Sequence, residues 1–231
     1  MVATIKPVVS HVIFDFDGLL VDTEPSYTLA NQAMLRRFDR DFTMDLKARM
    51  MGRKNLEAIA WLLDEVGIAD RITPEEYVID YDEMLEKMFE MCRGLPGAER
   101  LVRHLAKKGI PMAICTGSCS RTFAQKAKNH RDWIDLIPIQ VCSGDDESIK
   151  RGKPYPDPFL ETMRRFAPPP ADPSHVLVFE DAPNGVVAAL EAGMRCVMVP
   201  DEVFQQRAKA LRLTSVPLGH LLPAVFLETT D

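Results

Sequence analysis

Val12-Ile-Phe-Asp-Phe-Asp-Gly-Leu-Leu-Val-Asp22 is the stretch whose reading decides the fold. Val12, Ile13, Phe14 and Phe16 form the β-rich apolar run of a central parallel strand covered on both faces. Asp15 and Asp17 follow with period 2 where that run ends, so they leave the sheet on the same side, and Gly18 lets the backbone turn away. Two carboxylates this close raise each other's pKa, and burying them without a counter-charge is strongly unfavourable. A cation or a shared proton is therefore implied.

Working outward, 231 residues suit a core domain with a smaller insertion, and a hydrophobic content of 46% supports a real core. The formal charge of -6, with no basic stripe, argues against a nucleic-acid polymer as partner. Met1 to Ser10 carries one Lys and no long apolar segment, and no run has the length of a membrane span. The odd, scattered Cys92, Cys115, Cys119, Cys142 and Cys196 point to reduced thiols and a cytoplasmic location. A monomer acting on a small metabolite is expected.

Residues 23–92 carry helical periodicity and no strand signal. Leu29, Met34, Leu35 and Phe38 mark one apolar stripe, Leu56, Ile59, Ala60 and Leu63 another. Thr73-Pro74 makes a good helix start, and the methionines of this segment, Met34, Met44, Met84, Met88 and Met91 among them, suit core packing. A helical segment between strands predicts an inserted cap, leaving 1–22 and 93–231 as the core, with hinges near Thr23–Glu24 and Arg93–Gly97. From Ala98 onward helices and strands alternate. Pro111 to Gly117, Ile139 to Ser143, His175 to Asp181 and Cys196 to Val199 are the predicted strands, and Ser118 or Ser120 is expected to cap the helix near Arg121. The tail from Leu211 suggests an edge strand and a short helix. The fold class is α/β: a doubly wound, Rossmann-like parallel sheet with a small helical cap, whose ligands belong beyond the carboxyl ends of the strands.

Four separated features fall on that rim: Asp15 with Asp17, Thr116-Gly117-Ser118, Lys153, and Glu180 with Asp181. Four carboxylates repel a phosphate dianion, but Mg²⁺ and the Lys153 ammonium bring the pocket near neutrality. An oxygen-only ligand set favours Mg²⁺ over softer metals. Asp15, fixed at the strand end, is the candidate nucleophile toward phosphorus, and Asp17 on the turn is the candidate acid and base. Thr116 and the amides around Gly117 and Ser118 can hold phosphoryl oxygens, helped by the helix N-terminus that follows, while Lys153 supplies positive charge.

In this order the motifs resemble those of the haloacid dehalogenase-like hydrolases: Asp15-Phe-Asp17, Thr116, Lys153 within Gly152-Lys-Pro-Tyr-Pro-Asp157, and Glu180-Asp181. The resemblance covers nearly the whole chain. It implies a phosphoric monoester hydrolase whose metal is held by Asp15, the backbone carbonyl of Asp17, Asp181, and Glu180 directly or through water. Phe14 to Glu24, Leu95 to Glu99, Arg165 to Ala171 and Val178 to Gly185 resemble the pseudouridine 5'-phosphatase group, implying a nucleotide-like monophosphate; sugar-phosphate, FMN and glycerol phosphate phosphatases are the alternatives. Related phosphomutases carry a His where this chain has Tyr27, which disfavours a mutase. A phosphate-accepting receiver module or an inactive binding relative fits the long helical insertion and the full set of charged groups less well.

Overall fold

The computed structural model describes residues 9–50 and 55–199, so the tail read from Leu211 lies outside the described residues. Along the chain, β1 (His11–Phe14) and the two-residue β2 (Val21–Asp22) come first. Next come α1 (Glu24–Arg36), α2 (Met44–Met50), α3 (Asn55–Glu65) and α4 (Pro74–Phe89). The two-residue β3 (Arg93–Gly94) leads into α5 (Ala98–Lys107), β4 (Met112–Thr116), α6 (Ser120–Ala127) and α7 (Arg131–Ile134). Then follow β5 (Ile139–Cys142), α8 (Asp157–Arg164), β6 (Val176–Glu180), α9 (Pro183–Glu191) and β7 (Arg195–Met198). The chain divides at Asp22/Thr23 and Cys92/Arg93 into two compact units, of which Thr23–Cys92 is the helical one.

Among the described residues of the larger unit a five-stranded sheet runs in the order β5-β4-β1-β6-β7, with every pairing parallel. The path moves from β1 outward through β4 to β5, then returns to the opposite side of β1 for β6 and β7. The carboxyl ends of β1 and β6 therefore flank the point where the topology switches direction, where doubly wound sheets open a crevice. Register sharpens the placement. Phe14 aligns with Ile114 on one side and Phe179 on the other, and the Asp15 amide donates to the Phe179 carbonyl at 2.9 Å. One residue further along, the three strands deliver Asp15, Cys115 and Glu180 to one level.

Alternation along these strands builds the core. Ile13, Ala113, Cys115, Val176 and Val178 pack with Phe159 of α8 and with Ala188 and Ala189 of α9. The small side chains of α9 let that helix lie close on the sheet. Phe14 stacks on Phe179 with centroids 5.3 Å apart, and Phe16 meets Phe123 of α6 edge-on at 4.7 Å. An element absent from the sequence reading is the antiparallel pair of β2 and β3, where Val21 faces Gly94 and Asp22 faces Arg93. It ties together the two points at which the chain crosses between units. Neither Ser118 nor Ser120 caps α6 through its side chain: Cys119 is the N-cap residue, and the Asp145 carboxylate accepts from the Ser120 amide and hydroxyl at 3.0 Å. An acid brought in from a distant loop replaces the local cap, and its charge suits the positive end of the helix.

Within the helical unit, α4 packs against α1 and α3. Thr73 and Glu76 form a reciprocal capping box at the start of α4. Asn31 is buried and fully engaged: its amide nitrogen donates to the Tyr27 carbonyl and the Tyr81 hydroxyl at 2.9 and 3.2 Å, while its oxygen accepts from the Tyr77 hydroxyl at 3.0 Å. The apolar stripes are narrower than periodicity suggests. Met34 and Leu35 are buried, as are Ile59, Leu62 and Leu63, but Leu29, Leu56 and Ala60 are exposed. Methionine is a minor part of this core: Met44 and Met91 lie on the surface, and the centre belongs to Tyr77, Tyr81, Leu85 and Phe89. A helix buries only the arc that meets its neighbour, so residues one position off that arc stay in water. Among the described residues no helix is long and apolar enough to cross a membrane.

Candidate active site

Three strand ends and one loop meet at the rim of the sheet. Lys153, from the loop before α8, lies at the centre: its ammonium donates to Asp15 Oδ1 at 2.6 Å, Glu180 Oε1 at 2.7 Å and the Cys115 carbonyl at 2.9 Å. The ring of Phe159 sits 4.9 Å from the same nitrogen. All three acceptors come from strand termini at one level of the sheet, so the parallel register itself builds the lysine's socket.

Burial would pull the Lys153 pKa down, but the charges of Asp15 and Glu180 outweigh it and hold the group well above the ordinary lysine value. Lys153 is therefore a fixed cation. Burial pushes the Asp15 carboxyl up, to about 7; Lys153 opposes this, and the negative charges of Glu180 and Asp17 add to it. Burial is the larger cause, and the neighbouring carboxylates add to it against the pull of the Lys153 ammonium.

Asp15, Glu180 and Asp181 are all buried, and each offers an oxygen within 4.8 Å of the others. Gly18, at φ +75°, belongs to the same arrangement: a Cβ there would crowd the Asp181 carboxylate, with its carboxyl carbon at 3.1 Å. Only glycine accepts both the left-handed turn and this approach of the acid.

The second aspartate faces elsewhere. Asp17 Oδ2 accepts from Thr116 Oγ1 at 3.0 Å and Ser118 Oγ at 2.8 Å, and its Oδ1 accepts from Lys126 Nζ at 2.5 Å. Thr116 Oγ1 also accepts from the Ser118 amide at 3.0 Å. Thus Thr116 and Ser118 engage Asp17 and each other, while Gly117 between them has open space above its Cα. The N-terminus of α6 is already matched by Asp145, which weakens the anion site expected there.

Lys126 is absent from the sequence reading. Its side chain is 1% exposed. A signal did exist: Phe123, Lys126 and Ala127 occupy one face of α6 at helical spacing, and all three are buried. A lysine on the apolar stripe of a core helix demands an acidic partner within reach, and Asp17, half-buried on the turn after β1, meets that demand.

The donor set fits a divalent cation. Four carboxylates, Asp15, Asp17, Glu180 and Asp181, stand against two ammoniums, Lys126 and Lys153. With all four ionised, two negative charges are in excess, the amount that one divalent ion neutralises. The donors gathered around Asp15, Glu180 and Asp181 are all hard carboxylate oxygens.

A parallel sheet whose rim gathers acids around a buried lysine, with a hydroxyl loop beside them, defines an α/β enzyme built to handle phosphate esters. The chain belongs to the haloacid dehalogenase-like hydrolases, whose family model matches residues 9–193. It is 49% identical over 84% of its length to (DL)-glycerol-3-phosphatase 1, mitochondrial, of Arabidopsis thaliana, and the match spans 64% of that protein. It is 37% identical to a Drosophila melanogaster protein named as a probable pseudouridine-5'-phosphatase, over 86% of this chain and 84% of that one. Among solved structures, a candidate β-phosphoglucomutase from Thermotoga maritima superposes with a TM-score of 0.75 at 27% identity, covering 91% of this chain and 95% of that one. The chain is a phosphoric monoester hydrolase, a phosphatase for small phosphorylated substrates.

Proposed function

We propose that this phosphatase works through an aspartyl-phosphate on Asp15 and that its substrate is a compact alkyl monophosphate of the glycerol 3-phosphate kind. One observation carries the mechanism: Lys153 joins Asp15 to Glu180 at the sheet rim, while Asp17 stands apart on its own cluster with Thr116 and Ser118. Two carboxylates held in different environments suit two different tasks.

In the first displacement an Asp15 oxygen attacks phosphorus, the bond from phosphorus to the ester oxygen breaks, and Asp17 gives its proton to the departing alkoxide. In the second, Asp17 takes a proton from water as the water oxygen attacks phosphorus; the bond to Asp15 breaks, inorganic phosphate leaves, and Asp17 is again protonated. The backbone amides around Gly117 and Ser118 bind phosphoryl oxygens, joined by the Thr116 hydroxyl when it turns from Asp17, and Lys153 balances their charge. Asp15, Glu180 and Asp181 would hold a divalent cation, Mg²⁺ by its preference for oxygen, with the Asp17 carbonyl as the further ligand that the family resemblance implies. Such an ion supplies Lewis-acid polarisation of the phosphoryl group.

The glycerol phosphate reading rests on the higher identity to the Arabidopsis enzyme. Pseudouridine 5'-phosphate is the second reading, favoured by the Drosophila relative and by Phe14 to Glu24 and Val178 to Gly185. We read Thr23–Cys92 as the cap, the protein as a monomer, and its thiols as those of a cytoplasmic enzyme.

The test is phosphate release from glycerol 3-phosphate, pseudouridine 5'-phosphate, sugar phosphates and FMN in Mg²⁺, with the native protein and with Asp15→Asn. The native protein should turn over glycerol 3-phosphate fastest, and the variant should fold but turn over nothing. Appreciable hydrolysis by Asp15→Asn rules Asp15 out as nucleophile. A flat panel, or one led by a nucleotide, removes the substrate assignment.

A further inference from the structure

The mechanism above assigns no task to Lys126, yet this side chain is the one that reaches Asp17 from inside the fold. Its ammonium donates to Asp17 Oδ1 at 2.5 Å and to Ser118 Oγ at 2.9 Å, and Ser118 in turn donates to Asp17 Oδ2 at 2.8 Å. Lysine, serine and aspartate thus close a ring of three hydrogen bonds, with Thr116 holding the same Oδ2 from β4. Asp17 sits on the turn after β1 and is 24% exposed through its side chain, whereas Lys126 is rooted on the buried face of α6. A carboxylate on a turn is free to rotate; one tied at both oxygens to a helix and a strand is not. The burial is also unfavourable for the lysine unless its partner stays, since an ammonium removed from water needs its counter-ion. Each group therefore fixes the other.

We propose that Lys126 is a positioning residue for proton transfer: it anchors the Asp17 carboxylate in the orientation from which Asp17 serves the leaving oxygen. This rests on the acid role proposed for Asp17. Such a residue matters in proportion to how far the leaving group needs a proton. An alkoxide departs poorly without one, and p-nitrophenolate departs readily. Misplacing a catalytic group by about 1 Å is worth about a hundredfold in rate. Loosening of the pocket as a whole would instead slow both substrates alike.

The experiment compares kcat/KM, which reports the first displacement, for glycerol 3-phosphate (or the best alkyl phosphate in the panel) and for p-nitrophenyl phosphate. The proteins are native, Lys126→Met, Asp17→Asn and the double variant. Methionine has the length of the lysine stem and suits its buried site; Lys126→Gln serves the same comparison if the methionine protein does not fold. For Lys126→Met we expect a loss of about a hundredfold on the alkyl phosphate and only a few-fold on p-nitrophenyl phosphate. In the Asp17→Asn background the same change should add nothing, because it acts through the missing carboxylate. Equal losses on the two substrates, or a full additional loss in the double variant, overturn the proposal while leaving the acid role of Asp17 intact. If Asp17→Asn itself slows both substrates equally, the acid role falls, and this proposal with it.

Discussion

Replacing Gly185 with alanine tests how firmly the acidic pair is held. Gly185 lies in the first turn of α9, and a Cβ built there overlaps the Glu180 carboxylate. A flexible glutamate in water would move aside, but this one is 2% exposed through its side chain and bound at both oxygens, to Lys153 at 2.7 Å and to the Ala182 amide at 3.3 Å. Making room for the methyl group means drawing Glu180 away from Lys153. Separating one partner of a buried ion pair destabilises by ~3–5 kcal/mol. Alanine returns up to about 1 kcal/mol through its better helix propensity. The net loss should be ~2–4 kcal/mol, which for a domain of this size lowers Tm by roughly 5–15 °C. Differential scanning calorimetry measures it, and phosphate release should fall with it as the cluster around Lys153 loosens. The diagnostic variant is Gly185→Ala with Glu180→Asp, whose shorter side chain clears the new methyl and should recover part of the lost Tm. A Gly185→Ala protein with native Tm and native turnover would refute the reasoning, since Glu180 would then not be locked in place.

Three other outcomes follow from the same geometry. A divalent cation held as proposed by Asp15, with Mg²⁺ as the probe, has to displace the proton from that carboxyl, whose pKa burial raises to about 7. Affinity by titration calorimetry should therefore drop by about tenfold per pH unit below 7 and level off above it; a flat profile between pH 5 and 7 would disconnect Asp15 from the ion. Iodoacetamide should label Cys119 first, because a hydrogen bond from Thr122 lowers its pKa and it is partly exposed, whereas burial pushes Cys115 up to about 11 and Cys196 up to about 12. Peptide mapping after brief labelling checks the order, and early modification of Cys115 would contradict it. Thr73→Ala removes the capping box of α4 and should destabilise the protein by about 1 kcal/mol in urea denaturation without changing kcat, whereas no change in stability would mean the box is dispensable.

How far the sequence reveals this structure depends on whether the signal is local. The strands of the parallel sheet are legible because burial on both faces leaves continuous apolar runs such as Val12 to Phe14 and Val176 to Phe179, each broken by acid where the strand ends. The start of α4 is legible because Thr73-Pro74 places an N-cap residue directly before Pro at the first helical position. Lys153 stands out through the rigid Gly152-Lys-Pro setting. What is hidden is pairing at a distance. Asp145 caps α6 from a loop 25 residues away, β2 finds β3 only after the whole helical unit has intervened, and Lys126 meets Asp17 across 109 residues. Exposure of Leu29 and Met44 is hidden for a related reason: periodicity gives the apolar face of a helix, whereas the neighbouring helix decides how wide an arc of it is covered.

The central claim is that Asp15 carries the phosphoryl group. The most direct measurement is peptide mass mapping of the Asp17→Asn protein after acid quench during turnover of p-nitrophenyl phosphate, since loss of the base for the second displacement lets the covalent species accumulate. The account predicts a phosphoryl group on the peptide that contains Asp15, localised to that residue. A phosphoryl group on any other side chain would contradict it.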